Sequence, residues 1–139
     1  MPKPDLRAEI RARALMEGFD VVRFTPANAA AHAGENLQAF LSQERHGNMD
    51  WMLKNADRRA DPKTLWPDAK TAIVLGMNYG PRAGYHDAPV ADDRAAISVY
   101  AQGDDYHDVM KPKLKRLASF IAETYGAGVK VFVDTAPVM

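Results

Sequence analysis

The stretch TAIVLGMNYG, residues 71–80, decides how the fold is read. It is an apolar run of strand length that ends in Asn78, Tyr79 and Gly80. Such a run predicts a β-strand covered on both faces, because a half-exposed strand would alternate apolar and polar residues. The segments around it must therefore supply covering layers. Upstream, DLRAEIRARALME (5–17) predicts a helix with an apolar stripe of Leu6, Ile10, Ala14 and Met16, closed by Gly18 at C′. FDVVRFTPA (19–27) predicts a short strand. ENLQAFLSQERHG (35–47) predicts a helix that buries Leu37, Phe40 and Leu41 and stops at Gly47. NMDWMLKNADRR (48–59) predicts a short Asn-capped helix burying Met49, Trp51, Met52 and Leu53. DPKTLWPDAK (61–70) is turn-rich, with Pro62 suited to a first helical position.

Downstream, PRAGYHDAPVADDR (81–94) reads as a loop and AAISVYAQG (95–103) as a strand. DDYHDVMKPKLKRLASFIAETYG (104–126) predicts a long amphipathic helix with Val109, Leu114, Leu117, Phe120 and Ile121 facing inward and Pro112 as a source of a kink. VKVFVDTA (129–136) reads as the last strand. Helices and strands are interleaved, so the expected fold is an α+β (α/β layered) sandwich. It would have a mixed sheet, helices on both faces and a strand–helix–strand unit over 95–136. A single domain over 1–139 is expected.

Composition narrows the function classes. Lys plus Arg and Asp plus Glu are 18 each, so no global charge excess advertises nucleic acid. There is no cysteine. That excludes disulfides, thiolate zinc and cysteine-held iron–sulfur clusters within this sequence. No apolar run approaches the ~18 residues of a membrane span, and the N-terminus lacks a signal-peptide core. A soluble cytoplasmic protein without a membrane partner is expected.

No phosphate-binding glycine loop, nucleophile elbow or zinc-protease helix motif is present. The chemistry-bearing residues gather instead at predicted strand ends, where open α/β sheets build ligand sites. Asn78 and Tyr79 follow one strand, Tyr100 to His107 link another to its helix, and Asp134 ends a third. Asp104 and Asp105 read as helix caps or as site residues. Tyr106 and His107 lie in the first helical turn, facing a ligand or packing on the helix. Asp134 reads either as a partly desolvated proton donor or as an exposed turn residue bonding to Ala136. Arg58 and Arg59 could hold an anion or simply complement a helix end. KPKLKR (111–116), with four cations in six residues, reads as a solvated face or as a phosphate contact.

Taken together, HGNMDWM (46–52), RRADP (58–62), TAIVLGMNYGP (71–81), SVYAQGDDYHDVMKPKLKRL (98–117) and VFVDTAPVM (131–139) resemble the N-terminal half of the epoxyqueuosine reductase family. The resemblance implies a cobalamin-binding domain related to reductive dehalogenases and flavin-type nitroreductases. It also implies a further segment whose cysteines hold two [4Fe–4S] clusters, and an external electron donor. Reduction of epoxyqueuosine in the tRNA anticodon stem-loop would then use Asp134 as proton donor. Arg59, Asn78, Tyr79, Tyr100, Gly103, Asp105, Tyr106 and His107 would line the cobalamin and substrate pocket; no protein metal ligand is implied. Val99 stands where the family usually has Arg. Family members continue past the Asp134 motif into a Gly-rich segment and the cluster cysteines. The sequence is therefore expected to be truncated at its C-terminal end and inactive alone, while full-length members are expected to be monomeric. The competing readings are a corrinoid or flavin module without reductase activity, and a purely structural α/β domain.

Overall fold

A computed structural model describes residues 5–28, 32–80 and 97–134. The element order is α1 (Leu6–Met16), β1 (Val21–Pro26), α2 (Ala33–Ser42), α3 (Ala56–Ala60), α4 (Pro62–Leu65), β2 (Thr71–Gly76) and α5 (Tyr106–Tyr125), with 3₁₀ turns at Asp50–Met52 and Val99–Ala101. β1 and β2 form a two-stranded sheet. It is antiparallel: the Asp20 N–H donates to the Gly76 carbonyl and the Ala27 N–H to the Lys70 carbonyl. The chain divides into two compact units, one built from Met1–Val22 and Leu75–Val133, the other from Arg23–Val74 and Asp134–Met139.

The first unit rests on α1 against α5. Asp5 caps α1, its Oδ1 accepting from the Arg7 and Ala8 N–H groups at 3.1 and 3.3 Å. The helix closes as the sequence predicts. Gly18 adopts φ +91°, its N–H donates to the Leu15 carbonyl, and the Phe19 N–H donates to the Ala14 carbonyl. A left-handed residue is needed there, and glycine supplies it without steric cost. Among the described residues, Ile10, Ala14, Phe19, Val22, Leu114, Leu117, Ile121 and Val133 are the buried apolar residues of this unit. Leu6 and Met16, expected in the apolar stripe, are exposed.

Glu17 ties the two helices together. Its side chain is only 9% exposed and pairs with Arg13 at 2.8 Å and Arg116 at 2.6 Å, while Lys113 Nζ donates to its backbone carbonyl. At the other end of the pair, Tyr125 OH donates to Glu9 Oε2 at 2.5 Å. These contacts run α1 and α5 antiparallel and engage two of the four cations in KPKLKR.

The Arg116 hydrogen bond, aided by the charges of Arg116 and Arg13, holds the Glu17 carboxyl below its ordinary range. Its stabilisation is thus present above the unfolded-state pKa and lost as pH falls through the folded one. The hydrogen bond to Glu9 raises the Tyr125 phenol, so that contribution is full below the unfolded pKa and lost as pH rises through the folded one. Glu17→Gln is expected to cost about 1–2 kcal/mol at neutral pH and to flatten the acid side of a urea-midpoint profile. Tyr125→Phe should flatten the alkaline side. Profiles that keep the wild-type shape would refute these assignments.

In the second unit α2 buries Leu37 and Leu41 and packs on α3, where a β-carbon at Gly34 would stand 3.2 Å from that of Ala60. α2 ends at Ser42, short of the expected Gly47. Glu44 takes φ +54°, its N–H donating to the Leu41 carbonyl and the Arg45 N–H to the Phe40 carbonyl. This is the same closing motif as in α1, with Glu in the position glycine favours, which is why the sequence does not signal it. The helix expected over 48–59 is split by Asn55 at φ +63° into a 3₁₀ turn and α3. Met49, Trp51 and Leu53 are exposed rather than buried. Asp61 caps α4 through the Lys63 N–H at 2.8 Å, with Pro62 first in the helix as predicted.

The mixed sheet is not found among the described residues; the α+β class stands with the β1–β2 ribbon alone. β2 is not covered on both faces, since Val74 is 56% exposed and no residue of the strand is fully buried. The described part of 95–103 is a turn, not a strand. Ala101 N–H donates to Ser98 O, Gln102 N–H to Val99 O and Gln102 Nε2 to Ile97 O, so its backbone is satisfied locally instead of across a ladder. Residues 129–134 form no strand either, and Asp134 at φ +44° leaves the extended region. The strand–helix–strand unit over 95–136 is thereby reduced to α5. The loop read at 81–94 lies outside the described residues, as do 95, 96, 135 and 136.

Candidate functional site

The start of α5 gathers the densest group of candidate residues. Asp105, rather than Asp104, is the N-cap. Its Oδ1 accepts from the His107 N–H at 2.9 Å and contacts the His107 ring Nδ1 at 2.8 Å. The backbone bond, then the ring bond and the imidazole's charge, hold the exposed Asp105 carboxyl below its ordinary range. The His107 ring stacks on Tyr106 at 4.2 Å, and Tyr106 meets Tyr100 edge-on at 6.4 Å. Tyr100 is exposed on the 3₁₀ turn, while Tyr106 and His107 are half-buried. Between turn and helix, Gly103 has nothing within 4 Å of the position a β-carbon would take. The structure thus brings Tyr100, Asp105, Tyr106 and His107 into one aromatic and acid–base cluster, with Gly103 on its loop.

A second group follows β2. The Asn78 N–H donates to Asp20 Oδ2 at 2.7 Å, and Asn78 Oδ1 accepts from the Gly80 N–H at 2.8 Å. A side chain at Gly80 would crowd that oxygen, so glycine keeps the turn tight. Tyr79 is 68% exposed. Asp20 is a positioning residue that sequence reasoning missed. It lies 58 residues from Asn78, and only the pairing of β1 with β2 brings them together.

Arg59 and Asp134 belong to the other unit. The Arg59 guanidinium lies over the Trp51 ring at 4.8 Å, a cation–π contact, and its buried Nε has no hydrogen-bond partner. Trp51 was expected only as core; it serves as the platform for Arg59. Asp134 is exposed, in keeping with the turn reading of it rather than with partial desolvation. Among the described residues no cluster of three or more His, Asp or Glu could hold a metal ion, and no helix is long and apolar enough to cross a membrane.

The family model described as "Epoxyqueuosine reductase QueG, DUF1730" matches residues 59–135. The chain belongs to the epoxyqueuosine reductase family. An epoxyqueuosine reductase of Cellulophaga algicola is 40% identical over 131 residues, which cover 94% of this chain and 41% of that protein. One of Escherichia coli (strain K12) is 32% identical over 136 residues, covering 96% of this chain and 36% of that protein. The solved structure of epoxyqueuosine reductase from Streptococcus thermophilus superposes with a TM-score of 0.73 at 26% identity, over 97% of this chain and 36% of that one. This epoxyqueuosine reductase family chain therefore spans about two fifths of the length of the curated relatives it matches. The match over 59–135 takes in every candidate residue from Arg59 to Asp134.

Proposed function

We propose that the chain contributes the N-terminal, cobalamin-binding part of an epoxyqueuosine reductase acting on tRNA, in a fold related to the nitroreductases and reductive dehalogenases. The observation that carries this reading is the family match over 59–135 with all nine candidate residues inside it. The reaction opens the epoxide of the modified nucleoside: both carbon–oxygen bonds break, a carbon–carbon double bond forms, and the oxygen leaves as water after uptake of two electrons and two protons. Cobalamin, when bound, supplies the reducing centre.

The residues present suit such a group. A corrin is wide and flat with an amide rim, and it needs ring faces and neutral hydrogen-bonding groups. Tyr100, Tyr106 and His107 offer both, and the open space at Gly103 leaves room beside them. Asn78 and the exposed Tyr79 would add a second edge. Asp134 delivers one proton to the departing oxygen; open to solvent, it is recharged from water. Electrons must arrive from outside this sequence, since it holds no cysteine to carry clusters.

The test is a titration of the purified chain with cobalamin, read by absorption spectrum and calorimetry. Saturable binding is expected, weakened about 2–10-fold by Tyr100→Ala for the loss of roughly 0.5–1.5 kcal/mol of aromatic contact. An unchanged spectrum, or uptake of a flavin in place of cobalamin, would reject this reading.

A further inference from the structure

We infer that Arg59, laid over the ring of Trp51, is a phosphate site for a single RNA strand, with Trp51 as the surface on which a neighbouring unpaired base stacks. Both residues belong to the unit that contains Arg23–Val74. The guanidinium carbon of Arg59 stands 4.8 Å from the ring centroid, so the cation is held in place before any ligand arrives. Its charge is not answered by a neighbour. Arg13, the other arginine among the described residues whose buried Nε has no partner, has its charge met by Glu17 at 2.8 Å. Arg59 pairs with no carboxylate among the described residues. A half-buried cation with five donors and only a ring face beside it is costly, and an anion relieves that cost. Complementing the end of α3 would explain a cation there, but not one drawn onto an aromatic ring. Trp51 needs an account as well, since 54% of it is exposed although Arg59 lies over the ring. A fixed cation beside an open aromatic surface suits a ligand that joins a negative charge to a flat face. A nucleotide in a strand has both. Proteins hold single strands in this way, with cations on the phosphates and rings under the bases. The bases of an RNA loop are unpaired and free to stack. The inference rests on the tRNA reading above and adds the residues that take the strand. A free phosphate would use the cation and leave the ring idle.

The test reads the ring directly. The chain has two tryptophans, so in a Trp66→Phe background the emission reports Trp51 alone. An unmodified anticodon stem-loop RNA is expected to quench it saturably. A fully paired RNA duplex and inorganic phosphate, at the same phosphate concentration, are expected not to. This measurement leaves Arg59 and Trp51 intact, so it stands whether or not variants of the site fold. Affinity is then read from the anisotropy of labelled stem-loop. Arg59→Gln should weaken it about 3–10-fold. The same variant should reduce the slope of log affinity against log salt by about 0.7, the share of one phosphate on a single strand. Arg59→Lys keeps the charge and should keep the slope. Trp51→Ala should weaken binding about 5–100-fold, the worth of one stacked base. RNA bound with Trp51 emission unchanged, or bound equally well by Arg59→Gln, overturns the site and leaves the tRNA reading standing. Quenching by inorganic phosphate alone, or equally by the duplex, also overturns it. No RNA binding overturns the site together with the tRNA part of that reading, while the cobalamin titration still judges the cofactor part. A loss of cobalamin affinity in Arg59→Gln with RNA affinity intact assigns the cation to the cofactor and overturns the site.

Discussion

Phe19→Ala is expected to lower the stability of the chain by about 3–5 kcal/mol, the range for truncating a buried aromatic side chain. Phe19 is 2% exposed and among the largest fully buried side chains. It sits where the chain leaves α1, and its N–H is fixed on the Ala14 carbonyl, so the backbone cannot shift to fill the space. A cavity that cannot collapse lies at the costly end of its class. Domains of this size are stable by only about 5–15 kcal/mol, so the variant should lose a large share of its margin. Phe132→Ala is the control. That side chain lies in the same unit but is 45% exposed, and its loss should cost no more than about 0.5 kcal/mol. Urea unfolding followed by helical circular dichroism decides the matter. A loss below about 1 kcal/mol for Phe19→Ala would mean that the α1–α5 core does not carry the stability.

The parts of this fold legible in the sequence are those whose signals are local. Gly18 after α1, Pro62 at the first position of α4 and the Leu114, Leu117, Ile121 spacing in α5 each act within a turn or two of helix, and each is found in place. The strand expected over 95–103 failed because a strand's stability lies in its partner. Ser98, Val99 and Ile97 found acceptor roles within their own turn instead. Trp51 shows the same limit in a side chain: its size argued for burial, but Arg59 covers its ring from a helix whose boundary, Asn55, the sequence had not marked. Around the candidate site, the cluster of Tyr100, Asp105, Tyr106 and His107 was legible because its members lie within eight residues. The support of Asn78 by Asp20 was not, because the β1–β2 pairing that creates it is a long-range event.

Asp134→Asn is expected to slow epoxide reduction by about 10²–10⁴-fold, the usual worth of a positioned general acid. Asparagine is the informative replacement. Asp134 sits at φ +44°, a left-handed conformation that Asn tolerates like Asp, whereas Ala there would add roughly 1–2 kcal/mol of backbone strain and confuse folding with chemistry. The amide keeps the size of the carboxyl but has no acidic proton to give. The measurement is a single-turnover reaction on an RNA stem-loop carrying epoxyqueuosine, with cobalamin reduced chemically so that no cluster is needed, read by mass as the loss of one oxygen. Cobalamin binding should be unchanged in the same variant, because Asp134 acts on the leaving oxygen and not on the cofactor. Loss of turnover with binding intact places the side chain at the chemical step. Turnover within about threefold of wild type would remove Asp134 from it and send the search for the proton to His107, whose ring Nδ1 lies 2.8 Å from Asp105 Oδ1.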